Sequence, residues 1–340
     1  MKIAIHHQEG SFSTRWIAYC QKNDINYKII NAYDSNIIQQ IEDCDAFMWH
    51  HHQANYKDVL FAKQLLYSLQ MGGKKVFPDF NTGWHFDDKV GQKYLLESIG
   101  APRVPSHVFY AREDALEWAN ETTFPKVFKL RGGASSANVK LVKTQKQAVR
   151  LVNKAFGKGF SQFDKWEHLK AQYGKYKAGK GNVSDLLRAV KKLFVSTDFA
   201  KMHAPEKGYV YFQDFIPSNS FDIRIVVVGN KAFAIKRLVR KGDFRASGSG
   251  NLIYDKNQID DRCVSIAFDV NKQINSQSIA YDFIFDQEDN PLIVELSYGF
   301  SGTAYEYCEG YWDRELNWHA QTNFDFCGWM VENLVNETKG

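Results

Sequence analysis

Residues 1–80 alternate short apolar runs with stretches of helical spacing, and this alternation limits the fold more than any other feature of the chain. Lys2–His6, 27–31, 46–49 and Lys75–Phe77 have the length and composition of buried strands. The intervening stretches 12–23, 34–42 and 56–71 carry helical periodicity. Strands that recur with helices between them build a parallel sheet covered by helices. Ligands of such sheets sit beyond the carboxyl ends of the strands. Here those ends carry His6 and His7 after the first strand and His50, His51 and His52 after the third.

The pattern then changes. Residues 87–100 read as one helix, capped by Asp87 or Asp88, striped by Val90, Tyr94, Leu95 and Ile99, and ended by Gly100. Pro102 and Pro105 hold an extended connection to a short helix at 111–122. Strands at 126–130 and 139–143 flank the loop RGGASSAN, and Thr144 with Gln147 forms a capping box for a helix through Phe156. After a glycine-broken segment whose one good helical pattern is 183–193, the chain becomes strand-rich at 209–216, 222–228, 231–239, 280–286 and 292–297. Gly229-Asn230 is a tight hairpin turn and 286–290 (DQEDN) a looser one. The fold class is therefore α/β at the start and α+β after it.

Charge separates by position. The 340 residues carry a net +4, yet between Lys154 and Lys201 ten lysines and Arg188 face only Asp164, Glu167, Asp185 and Asp198. The chain thus reads as a mildly acidic protein with one basic insert. That insert holds no recognisable nucleic-acid motif, which argues against a nucleic-acid binder. No apolar run has the length of a membrane span, and MKIAIHHQEG lacks the apolar core of a secretory signal. Five scattered cysteines without a CxxC pair suit free thiols, so a cytoplasmic location is expected.

Several charged residues stand in apolar strands, where burial demands partners. Glu295 and Ser297 share a strand face, and Asp282 lies on the neighbouring strand of the same hairpin. Two such carboxylates suit Mg²⁺ shared with phosphate oxygens; equally, either can pair with Arg or Lys or face solvent. Asp222, Arg224 and Val226 share one face of a strand, and Phe233, Ile235 and Arg237 one face of its hairpin mate. With Lys236, Arg240 and Arg245 nearby, these arginines can meet a polyphosphate or acyl phosphate, or form salt bridges. The Gly/Ser loop can bring backbone N–H groups against phosphate, although it is not a Walker loop. The histidines at the strand ends can bind metal, contact substrate or be structural. Trp84-His85 precedes the 87–100 helix and can line the same cleft. The aromatic stretch YEYCEGYWDRELNWH reads as a helix docked over the core or as a wall for an acceptor.

The order of these pieces is more specific than any one of them. Asp88-Lys89, a strand ending in Lys129, the Gly/Ser loop, YFQDFIPSNSFDIRIVVVG, AIKRLVRKGDFR, YDFIF and IVELS follow one another. This series resembles the ATP-grasp superfamily of carboxylate–amine ligases. FDIRIVVVGNKAFAIKR and GDFRASGSG are most similar to the ribosomal-protein glutamate ligases and related peptide ligases. The resemblance implies a Rossmann-like N-terminal domain (1–80), a first ATP-grasp lobe (81–153), the basic insert (154–204) and a C-terminal ATP-grasp lobe (205–340). It further implies that Lys89 and Lys129 contact ATP phosphates and that Gly132, Gly133, Ser135 and Ser136 form a lid. Gln213, Asp214 and Phe215 would read adenine, and Asp222 would meet ribose. Arg224, Arg237 and Arg245 would hold the γ-phosphate and acyl phosphate, and Asp282 and Glu295 would bind Mg²⁺.

Ser297 stands where the family usually has Asn, so it would hold the metal more loosely or through water. The Asn expected after GDFR is shifted, with Ser247 and Asn251 as candidates. His7, His50, His51 and Asn251 are the candidate substrate contacts. The implied activity is amide formation between a small carboxylate and an amine through an acyl phosphate, with ATP and Mg²⁺. Its substrates stay open between an amino acid added to a peptide, a protein side chain or an amino sugar. The aromatic C-terminus and the basic insert point toward a sugar-linked or anionic acceptor. An ATP-binding scaffold or sensor with little ligase activity is the alternative.

Overall fold

Period-two burial drives the first sheet: Ile3 and Ile5 of β1 (Lys2–His6) enter one apolar cluster and Ala4 another on the opposite side. The structure, a computed structural model, describes residues 1–133, 138–161, 182–194, 204–240 and 242–336 together with Leu169, Tyr173, Gly174 and Tyr176. Two compact units emerge, one of residues 1–52, 57–104 and 216–340, the other of 53–56 and 105–215.

The first unit begins with β1, α1 (Ser13–Lys22), β2 (Asn26–Ile30), α2 (Ile37–Gln40), β3 (Ala46–Met48), α3 (Tyr56–Met71) and β4 (Lys75–Phe77). The strands pair in parallel in the order β2-β1-β3-β4, as the alternation predicts. After α4 (Phe80–Gly83) comes α5 (Lys89–Ser98), whose N-cap Asp88 accepts the Gly91 N–H at 2.9 Å. The expected stripe on α5 needs correction. The helix buries Lys89, Gln92 and Leu96 and only partly buries Leu95 and Ile99, while Tyr94 is 44% exposed. Gln92 turns inward because it has backbone partners there, described below.

The second unit holds β5 (Ser106–Phe109), α6 (Arg112–Glu121), β6 (Lys126–Lys129), β7 (Lys140–Val142), α7 (Gln145–Ala155), α8 (Val183–Phe194) and β8 (Val210–Asp214). Its sheet runs β5-β8-β6-β7 and is antiparallel throughout. Phe128, Val210 and Phe212 join Ala115 and Ala119 of α6 and Ala148 and Val152 of α7 in one core. Half of the expected capping box forms at α7: Gln147 N–H donates to the N-cap Thr144 Oγ1 at 3.4 Å, but the Gln147 side chain accepts the N–H of Lys143, one residue earlier, at 2.7 Å. Apart from 182–194 and the ends of the segment, the basic insert lies largely outside the described residues.

The chain returns to the first unit with β9 (Phe221–Val228), β10 (Lys231–Leu238), β11 (Leu252–Ile253), α9 (Asp261–Ile274), β12 (Ser278–Phe285), β13 (Pro291–Ser297), β14 (Gly310–Asp313), β15 (Trp318–Ala320) and α10 (Phe326–Asn336). These strands form an antiparallel sheet in the order β13-β12-β9-β10-β14-β15, with β11 beside β10. The β9–β10 hairpin turns at Gly229, whose φ of +58° favours glycine. A Cβ there would also collide with the Asn333 carboxamide.

One face of this sheet packs on α9 through Ile223, Ile225, Val227, Tyr281 and Phe283. The other shares a core with the parallel sheet: Val226, Phe233, Ile235 and Ala280 cluster with Ile3, Met48 and Phe77 and with Met330 of α10. The aromatic C-terminal stretch is not the docked helix of the sequence expectation. It makes a 3₁₀ turn (Gly302–Tyr305) and then the β14–β15 hairpin, in which Trp312 is buried and meets Trp318 edge-on at 4.5 Å. Alternating aromatics suit a pleated surface better than a helix face. No helix among the described residues is long and apolar enough to cross a membrane.

Candidate active site

Charged residues gather at one end of the face shared with the parallel sheet. Antiparallel register sets Asp282 of β12 opposite Glu295 of β13 on one side and opposite Arg224 of β9 on the other. On β10, Arg237 lies opposite Asp222 and Ile235 opposite Arg224. Residues paired across strands share a face, so these charges converge. A β-bulge after Asp282 shifts the β12–β13 register beside the site.

Both arginines are paired with carboxylates. Arg224 donates to both oxygens of Asp282, from Nε at 2.5 Å and from Nη2 at 2.7 Å. Arg237 grips Asp222 in the same bidentate way at 2.6 and 2.7 Å and also reaches Asp282 Oδ2 at 2.9 Å. Burial alone would push the Asp282 carboxyl upward, but the two guanidiniums hold it well below the usual carboxylate range. Tyr305 is buried beside Arg224, and burial raises its hydroxyl to about 12.

Glu295 has its own cation. Lys89 Nζ lies 3.2 Å from Glu295 Oε1, and Lys89 is the buried first residue of α5. Gln92, one turn along the same helix, ties α5 to β13. Its side chain donates to Leu296 O at 2.9 Å and accepts the Leu296 N–H at 3.1 Å, acting as a surrogate strand for the edge of β13. Further along, Pro102 O accepts the Ile293 N–H at 2.9 Å and Val104 N–H donates to Ile293 O at 3.0 Å. Ser297 follows Glu295 on the same face, and its hydroxyl donates to Gly299 O at 3.2 Å. Arg245 closes on Asp243 at 2.8 Å (Nη2 to Oδ2). Asn251 is exposed, and its carbonyl accepts the Leu238 N–H at 3.0 Å.

In the second unit, the β6–β8 register pairs Lys129 with Tyr211, Val127 with Gln213 and Lys126 with Asp214. Lys129 and Gln213 therefore occupy the face opposite Phe128, away from α6 and α7, and both are buried. Gln213 Nε2 and Tyr211 OH both approach Ser106 Oγ, at 3.1 and 2.8 Å. Asp214 turns to the other face. There it accepts Lys126 Nζ at 2.6 Å and lies 3.1 Å from His107 Nε2, and these contacts lower its carboxyl. Lys126 carried no role in the sequence reading; its alternation with Phe128 was the available signal. Phe215 follows β8 directly. Gly132 is buried and Gly133 has a φ of +110°, while the Arg131 N–H donates to Tyr209 OH at 2.6 Å. Ser135 and Ser136 lie outside the described residues.

The histidines do not gather at one point. His7 is exposed, with Nδ1 at 3.0 Å from Ser13 Oγ. His50 stacks on Phe12 with centroids 3.8 Å apart, and its Nδ1 accepts the Phe12 N–H at 3.2 Å. That bond leaves the proton on Nε2, and burial lowers His50 to about 3. His51 is buried against Phe86 and Tyr298 and is also held well below its ordinary value by burial. Among the described residues no group of three or more His, Cys, Asp or Glu could hold a metal. The donor set of Asp282 and Glu295 instead fits Mg²⁺ that takes further oxygens from a phosphate.

A family model described as RimK-like ATP-grasp domain matches residues 196–307. No curated protein sequence matches the chain. Among solved structures, a RimK domain ATP-grasp protein from Sphaerobacter thermophilus is 14% identical with a TM-score of 0.55, covering 98% of this chain and 100% of its own. D-alanine–D-alanine ligase from Bacillus anthracis, complexed with ATP, is 12% identical with a TM-score of 0.58, covering 100% of this chain and 99% of its own. The biotin carboxylase domain of Hydrogenobacter thermophilus 2-oxoglutarate carboxylase, in complex with MgADP and bicarbonate, is 11% identical with a TM-score of 0.59. That match covers 98% of this chain and 69% of the other. The chain has the ATP-grasp fold, and its residues 196–307 match the RimK-like ATP-grasp domain.

Proposed function

We propose that this chain is an ATP- and Mg²⁺-dependent ligase that joins a carboxylate to an amine through an acyl phosphate. The observation that carries the reading is the register-paired Asp282 and Glu295, set among Arg224, Arg237 and Lys89. A cluster that is buried at Asp282, Arg237 and Lys89 and opens to solvent at Glu295, with both hard-oxygen donors and several cations, suits a metal–polyphosphate better than any uncharged ligand.

In this reading Lys89 and Lys129 contact ATP phosphates, and Gly132 and Gly133, with Ser135 and Ser136, close over them. Gln213, Asp214 and Phe215 read the base, and Asp222 is directed to the ribose. Asp282 and Glu295 hold Mg²⁺, with Ser297 direct or through water. Bound there, Mg²⁺ offsets charge on the transferring phosphoryl group. An oxygen of the substrate carboxylate attacks the γ-phosphorus, and the bond to the β-phosphate oxygen breaks to release ADP. Arg224, Arg237 and Arg245 offset the charge that develops on the phosphoryl oxygens. The amine then attacks the acyl carbon, phosphate leaves, and the amine loses a proton to form the amide.

The exposed Tyr307 and the Tyr311–His319 stack support a flat or sugar-linked acceptor near the C-terminal hairpin. His7 and Asn251, both exposed, are proposed as substrate contacts, whereas the burial of His50 and His51 against aromatic rings assigns those two a structural role. Incubation with ATP, Mg²⁺, candidate acids and hydroxylamine tests the reaction, with a hydroxamate and stoichiometric ADP expected. No ADP release across a broad carboxylate panel would overturn the ligase reading. The Ser297 hydroxyl, bonded to Gly299 O, favours the second reading of an ATP-binding scaffold with weak turnover.

A further inference from the structure

Helix α8 is amphipathic along its whole length. At about 100° per residue, helical spacing places Val183, Leu186, Leu187, Val190, Leu193 and Phe194 within one arc of about 120°, and no polar residue falls inside it. Ser184, Asp185, Arg188, Lys191 and Lys192 share the rest of the circumference with Ala189. An amphipathic helix ordinarily buries its stripe, as α7 of the same unit does with Ala148, Val152 and Ala155. The stripe of α8 stays in water: Val183 is 54% exposed, Leu187 64% and Val190 39%. A helix of 12 residues is marginal in water unless its apolar face finds cover. Charge says what kind of cover fits. The single acid of the helix, Asp185, pairs with Arg188 at 3.3 Å, and spacing sets Lys191 at the border of the stripe. The surrounding segment, 154–201, carries ten lysines and Arg188 against Asp164, Glu167, Asp185 and Asp198. Tyr173 and Tyr176 of that segment are exposed as well, and rings with one polar end suit a boundary between water and an apolar phase.

We propose that α8 is a surface anchor that lies along an anionic phospholipid bilayer, its apolar stripe among the upper acyl chains and its basic face against the headgroup phosphates. The helix rises only about 18 Å, too little to cross a hydrocarbon core of about 30 Å, so it lies in the plane of the interface. A nucleic acid would engage the basic residues and leave the stripe in water. A neutral apolar surface would cover the stripe and leave the basic segment without counter-charge. An acidic bilayer meets both needs at once, because apolar burial and attraction to anionic lipids add along one helix. With a single short stripe and a handful of lysines, the attachment is reversible.

Cosedimentation of the full chain with lipid vesicles tests this, without nucleotide, so that the outcome is independent of the ligase reading. Vesicles of phosphatidylglycerol and phosphatidylcholine in equal parts should carry the protein down, and pure phosphatidylcholine should not. High salt should release it, because screening shortens the reach of the lysines. Lys191→Gln combined with Lys192→Gln should weaken binding on the order of tenfold. Leu187→Asp combined with Val190→Asp should weaken it on the order of a hundredfold. Both side chains are exposed, so the second pair should leave the urea midpoint of the free protein unchanged. A lowered midpoint would show that the chain covers the stripe itself, and would overturn the proposal. So would vesicle binding that ignores lipid charge, or binding that survives the Leu187 and Val190 substitutions. Absence of vesicle binding overturns it too, whether or not the chain binds RNA instead.

Discussion

Asp282 is the residue on which most of the buried charge depends. It joins the buried Arg237 and the partly buried Arg224, and its folded-state carboxyl is held far below its unfolded value. Asp282→Asn removes the charge without changing the shape and leaves two guanidiniums short of a partner. The expected cost is about 3–5 kcal/mol of folding free energy, read as a lower urea midpoint with an unchanged slope. At Ser297 the expectation differs in kind. Its side chain is short and turned to Gly299 O, so Ser297→Asn supplies a longer oxygen ligand on the face of Glu295. Under the ligase reading, that substitution lowers the Mg²⁺ concentration needed for half-maximal ADP release severalfold. An unchanged Mg²⁺ requirement would place residue 297 off the metal. The residue types needed for this chemistry were legible in the sequence because charges in apolar strands stand out. Their present partners were not, since every one of the arginine contacts to Asp282 crosses between hairpins.

At the scale of elements, α5 and β13 show why a correct helix can still have its faces misread. Apolar spacing put Val90, Tyr94, Leu95 and Ile99 on the inner face, whereas the fold buries Lys89, Gln92 and Leu96, keeps Leu95 and Ile99 at the margin of the core and exposes Tyr94. The deciding interaction is the exposed edge of β13, whose Leu296 N–H and C=O need partners and find them in the Gln92 carboxamide. Gln92→Leu keeps the volume and strands both backbone groups. A loss of about 1–3 kcal/mol is expected by urea denaturation, with faster hydrogen exchange at the Leu296 amide. Because Gln92 ties the helix that carries Lys89 to the strand that carries Glu295, the same variant should weaken ADP binding. The cap, by contrast, was narrowed from sequence to Asp87 or Asp88, since an N-cap depends only on residues a turn away, and the structure assigns it to Asp88.

Across the whole molecule, buried histidines tie the fold to pH. His50 and His85 titrate near 3 and 4 in the folded chain because burial penalises the imidazolium. An unfolded histidine titrates near 6.5, so below that value the unfolded chain binds protons that the folded chain refuses. The stability these groups contribute is complete above about 6.5 and is lost as pH falls toward their folded values, at about 1.4 kcal/mol per unit and per histidine. Melting temperature should therefore drop between pH 7.5 and pH 5.5, and His85→Leu should flatten that slope. A slope unchanged by the substitution would show that His85 titrates normally in the folded chain.

The sequence by itself determined the parallel βα start, the β9–β10 and β12–β13 hairpins, and the strand faces that carry Arg224, Arg237, Asp282 and Glu295. All of these follow from periodicities of two or 3.6 and from turn residues, which act over a few neighbours. Only the tertiary structure decided that β12 lies beside β9, which brings Asp282 against Arg224 across 58 residues of chain. Only it set Lys89 beside Glu295 and turned Gln92 to the edge of β13. Those pairings are chosen by which faces can be buried together and which backbone edges must be covered, a competition among distant segments that no local pattern records.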